Sequence, residues 1–143
     1  NCRFGKVFIQ NTNRGFWFNN TQANSWHIED LFIAFDCDVV LEVDQGGDFI
    51  IDDLHLNARA LVFKINRRNS HSPSYKIGFL NVDNNSNGWR LIESPNPGPL
   101  MLKVWGNVGK TVAAGPDWVR LDATRDAVVA DIHVMQNGRL LSW

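Results

Sequence analysis

Much is scarce in this chain of 143 residues, and each scarcity excludes a class of protein. Only two cysteines occur, Cys2 and Cys37, so at most one disulfide can form and a disulfide-stapled scaffold is excluded. Whether they pair or stay free thiols is left open by one potential pair. No apolar run approaches the roughly 20 residues a membrane-spanning helix needs, so no membrane partner is expected. Charge of one sign is missing: 14 Lys and Arg against 15 Asp and Glu leave a net charge of -1. That balance lacks the basic footprint of a nucleic-acid binder. No Gly-x-Ser-x-Gly, phosphate loop, dinucleotide fingerprint or spaced calcium-loop oxygen cage is present. The four histidines, His27, His55, His71 and His133, are scattered. Neither a metal nor another cofactor is therefore expected. The chain begins at Asn1 and has no charged n-region followed by an apolar segment. It reads as a single domain, 1–143, and as a fragment of a larger protein.

Long helical periodicity is also missing. Short apolar stretches rich in Val, Ile, Leu and Phe alternate instead with clusters of Asn, Asp, Gly and Ser, the pattern of strands and turns. One template, apolar-x-x-apolar-x-apolar, recurs at 28–33, 51–56, 77–82 and 129–134, with a degraded copy at 102–107. Its leading residues are Ile28, Ile51, Ile77, Leu102 and Val129, at intervals of 23, 26, 25 and 27 residues. A second apolar run precedes each copy, at 16–18, 39–43, 60–65, 89–92 and 118–121. The unit is strand, loop, strand, turn, repeated five times.

One such unit cannot bury its own apolar row, whereas stacked units can, each strand pairing with its equivalent one turn along at about 4.8 Å. The spacing thus predicts an all-β chain folded as a right-handed parallel β-helix of about five coils. Two inward ladders follow: Ile28, Ile51, Ile77, Leu102, Val129, and Leu31, Leu54, Leu80, Trp105, Ile132. The alternative is an antiparallel β-sandwich or jelly roll, which the hairpin signals Asn87-Gly88 and Asn137-Gly138 favour. A sandwich has no reason to repeat its template near every 25 residues.

The phrases at 25–33 and 48–56 resemble the pectin-lyase-like superfamily of right-handed β-helices, which includes bacteriophage tailspikes. A polar residue before the recurring Leu position, matched here by Asp30, Asp53 and Asp131, is one of its marks; Phe79 and Val104 depart from it. The resemblance implies a polysaccharide-handling protein of an extracellular or virion surface, acting on or binding a cell-surface glycan. It also implies a homotrimer of the tailspike kind, since the ends of a β-helix expose strand edges that need covering. Binding is the expectation for this segment. A polysaccharide lyase or glycoside hydrolase is the second reading, and a structural trimerisation domain of a fibre the third.

The segments joining the paired strands, at 19–25, 44–48, 66–74, 93–99 and 122–126, vary most and would project from one face, the expected binding face. Six tryptophans make aromatic platforms for sugars plausible chemistry. The expected carbohydrate-binding set is Arg67, Arg68, His71, Tyr75, Trp89, Glu93, Trp118, Asp122 and Arg125, with Arg and His suiting an acidic sugar. Against it stands the reading that most Trp fill the interior. Glu29-Asp30 and Asp52-Asp53 are paired carboxylates of the type used in glycoside hydrolysis. Turn-forming and solvated roles account for them better, so no catalytic residue is assigned.

Overall fold

A computed structural model of the chain describes residues 2–66, 74–94, 100–115, 117–121 and 128–141. Its strands are β1 (Cys2–Asn57), β2 (Leu61–Ile65), β3 (Ser74–Val82), β4 (Arg90–Ser94), β5 (Leu100–Val108), β6 (Val119–Leu121), β7 (Val128–Gln136) and β8 (Arg139–Leu140). They pair in the order β6-β4-β2-β1-β3-β5-β7-β8, and every pair but the last is parallel. The chain is a parallel β-solenoid of about four turns. An antiparallel sandwich cannot produce that pairing.

β1 is extended along its length but bent, because Asn11, Ser25, Phe35 and Asp48 take left-handed φ values of 52 to 59°. Asn and Asp tolerate that conformation through local side-chain bonding; the exposed Phe35 adopts it under strain. The bends fold β1 back alongside itself, so that Phe4 stacks on Trp26 at 5.4 Å and Phe8 on Phe32 at 5.2 Å. Its later parts then template two ladders. Residues 39–43 lead to β2, β4 and β6, and residues 49–56 lead to β3, β5 and β7. Asn87-Gly88 turns a corner between parallel strands. Asn137 and Gly138, with φ of 52° and 73°, form the two-residue hairpin that lays β8 antiparallel on the end of β7.

Inside, the predicted ladders hold for two coils and then shift. Ile51 pairs with Ile77 and Leu54 with Leu80, as the template requires. Beyond β3 the partners are Val104 and Gly106, then Ile132 and Val134. The cause is a register shift between Ile77 and Leu80, three steps on β3 against two on β5. The x-x of the template is itself this extra residue. β5 lacks it and alternates strictly from Leu100 to Val108. Because a slip of one residue exchanges faces, Trp105 and Val129 point outward, not into the core, and Leu102 lies beside Tyr75. The same shift puts Asp131 beside Lys103, outside the row of Asp53. His55 and His133 likewise fall in different rows: His55 neighbours Asn81, and His133 neighbours Trp105.

The second ladder carries charge along its flank. Arg14 reaches Glu42 at 2.9 Å, Glu42 meets Lys64 at 3.0 Å, Lys64 pairs in register with Glu93, and Glu93 with Arg120. Signs therefore alternate across five positions, the favourable arrangement for neighbouring strands. Burial pushes the Glu42 carboxyl up, but the Asn66 amide donating at 2.8 Å and the Lys64 and Arg14 charges outweigh it and hold it below the usual range.

Tyr75, the chain's single tyrosine, stacks on Phe49 at 5.6 Å in the core. Burial, with the Asp48 charge adding to it, pushes its phenol well above the ordinary value of 10.0. The phenol is then neutral in the folded chain while the unfolded chain ionises. Its effect on stability is absent below about pH 10 and becomes a loss as pH rises beyond that. Ultraviolet titration should show no tyrosinate until the fold is lost; ionisation near pH 10 with the far-ultraviolet spectrum intact would place the ring at the surface.

Candidate functional site

Strict alternation in β5 turns Met101, Lys103, Trp105 and Asn107 to the outside of the first ladder. β7 lies beside it in register, so Val129 neighbours Met101, Asp131 neighbours Lys103, and His133 neighbours Trp105. On the other side, the pairs Ile77–Val104 and Leu80–Gly106 bracket Phe79 and Trp105, placing those two residues side by side on adjacent strands. Three successive coils thus present Phe79, Trp105 and His133 in one row. Phe79 is 41% exposed and Trp105 50% exposed. The indole and imidazole centroids are 5.0 Å apart, their planes tilted by 41°.

Polar groups border the rings. Asp131 lies with Oδ1 2.8 Å from His133 Nε2 and Oδ2 3.5 Å from Lys103 Nζ. These contacts are solvated, and exposed pairs contribute little to stability, so their effect is to orient the side chains. The result is an exposed aromatic row with a carboxylate and an ammonium at its rim. Broad apolar faces edged by hydrogen-bonding groups match a pyranose, which has apolar C–H faces and equatorial hydroxyls. The indole is also large and rigid, so little rotamer entropy is lost on contact.

A second concavity runs across β1, β2 and β4. It encloses about 750 Å³ and is lined by Asp38, Val39, Arg59, Leu61, Lys64, Arg90 and Glu93, with Gly88 and Gly115 among its bare backbone. Arg90 donates to Glu93 at 2.7 Å across one end.

The residues expected to bind carbohydrate fall into three groups. Tyr75 and Trp89 are 0% exposed and belong to the core, the one near the start of β3 and the other just before β4, each with its ring turned inward. Trp118 is half-buried against Trp89, with centroids 5.7 Å apart, and Glu93 lines the groove. Arg67, Arg68, His71, Asp122 and Arg125 lie outside the described residues. Three carboxylates of the first coils have close basic neighbours: Glu29 meets Arg3 at 2.7 Å, Asp52 lies 2.7 Å from His27 Nε2, and Asp30 stands 3.8 Å from Lys6 and 3.9 Å from His55. Cys2 and Cys37 are free thiols, Cys37 buried with its pKa raised by burial and the Asp38 charge. Among the described residues no group of three or more His, Cys, Asp or Glu is placed to hold a metal, and no helix is long and apolar enough to cross a membrane.

Sequence reasoning missed Phe79, Trp105 and His133. The signal was present in the period-two run from Leu100 to Val108, where reading every second residue as inward sends Trp105 out. Comparison of the chain with protein-family models, curated proteins and solved structures gives no match.

Proposed function

We propose that the chain is a glycan-binding β-helical domain whose ladder of β3, β5 and β7 offers Trp105, flanked by Phe79 and His133, as a stacking platform for a pyranose. The observation that carries this reading is the half-exposed indole fixed on a rigid parallel sheet, with Asp131, His133 and Lys103 at its rim. A solvent-facing Trp needs a reason beyond packing when two further exposed apolar side chains, Met101 and Val129, extend the same surface. An extracellular or virion setting, and a trimeric spike-like assembly, join this reading through the resemblance to pectin-lyase-like β-helices alone.

Screening immobilised oligosaccharides and then titrating the best binder by calorimetry tests the proposal. Trp105→Ala should weaken binding about tenfold, or about 1.4 kcal/mol, while leaving the urea midpoint nearly unchanged. Unaltered affinity in a folded Trp105→Ala variant would remove the platform from the site.

A further inference from the structure

The groove on the second ladder has a composition that the aromatic platform lacks. Five charged side chains line it, and three of them are held in ion pairs. Lys64 is taken by Glu42 at 3.0 Å, and Arg90 and Glu93 take each other at 2.7 Å. Arg59 is different. Among the described residues it has no ion-pair or hydrogen-bond partner, and its five donors face solvent at the groove wall. An added Cβ on Gly88, which has φ of +80°, would stand 3.1 Å from Arg59 Nε, 3.6 Å from Cδ and 3.7 Å from Cζ. The guanidinium therefore lies over a glycine whose lack of a side chain makes room for it. Gly115 is equally constrained, since its Cβ would stand 2.9 Å from the Gly88 carbonyl oxygen.

An unpaired guanidinium in a concavity is a planar fork of donors suited to bidentate capture of a carboxylate. The volume of about 750 Å³ suits a ligand of one to a few sugar units. The surrounding carboxylates, Asp38 and the partly neutralised Glu93, are acceptors for hydroxyl groups. We infer that this groove is a second saccharide subsite selective for a carboxylate-bearing sugar, with Arg59 as the residue that recognises the carboxylate. It rests on the glycan-binding reading above but uses a different face and different residues.

The test uses a polyuronate tetrasaccharide and its carboxyl-reduced counterpart, in which each carboxylate is replaced by a neutral hydroxymethyl group, each titrated calorimetrically into the full chain. The uronate is expected to bind at least tenfold more tightly. Arg59→Gln should abolish that preference, Arg59→Lys should restore part of it, and both should keep the wild-type melting temperature because the side chain is exposed. Equal affinity for the two ligands, or a preference that survives Arg59→Gln, would overturn the subsite. Trp105→Ala separates the two ideas. Loss of the reduced ligand in that variant with the uronate preference intact supports both. Loss of neither ligand in Trp105→Ala, with preference lost in Arg59→Gln, leaves the subsite standing and the platform refuted.

Discussion

Trp89→Ala is expected to cost about 3 to 5 kcal/mol of folding stability, the range for emptying a buried aromatic site. Against a total of about 5 to 15 kcal/mol for a domain, that loss is large enough to leave much of the chain unfolded at physiological temperature. Trp89 is wholly enclosed, its ring tilted against Trp118, and its backbone is pinned on both sides. Its N–H donates to Ser86 O at 3.0 Å and its carbonyl accepts from Gly115 N at 2.8 Å, so the corner cannot collapse freely into the void. The indole N–H itself is buried without a partner among the described residues. Trp89→Phe should consequently cost far less than the alanine change, because it removes an unsatisfied donor along with part of the ring. Urea denaturation of the two variants measures this. A Trp89→Ala chain with an unshifted midpoint but impaired sugar binding would return Trp89 to the surface.

Gly106→Val is the second large effect, at about 3 kcal/mol or outright failure to fold. The glycine occupies the inward row between Leu80 and Val134, where every neighbouring coil supplies an apolar side chain. A Cβ there would stand 2.7 Å from Leu80 Cβ and press into the Leu80 carbonyl oxygen. Backbone atoms cannot swing aside as a side-chain tip can. The strain must separate β3 from β5, weakening the hydrogen bonds that join those coils as well as overfilling the core. The check is a paired comparison of urea midpoints with wild type; a loss under about 1 kcal/mol would show that the two coils are less closely packed than described.

The parts of this fold that were legible in the sequence are those where neighbouring coils carry the same pattern. Ile51 and Ile77, Leu54 and Leu80 keep both spacing and chemistry, so repeat counting finds the stack and its direction. The reading lost its register where the repeat changed its local geometry. Ile77 to Leu80 contains one residue more than Val104 to Gly106, and matching Leu102 to Ile77 by hydrophobicity alone conceals that difference. The error then propagates, because each coil is aligned on the one before it. It reversed Trp105 and Val129 and hid the candidate platform. Tyr75 and Trp89 were misplaced for a separate reason: an aromatic at a strand's start satisfies either face locally, and only the tertiary stack decides. Arg59 could not be singled out at all. Its distinction is the absence of a partner and the presence of Gly88 beneath it, neither of which is a sequence pattern.

The alternating row Arg14, Glu42, Lys64, Glu93, Arg120 gives the stack a parity. Deleting one coil from within the row, or duplicating one in tandem, sets two like charges side by side and replaces an attraction with a repulsion. Removing or adding two coils together restores the alternation. Lengthening or shortening of such a chain by recombination is therefore expected to be tolerated in even steps and penalised in odd ones.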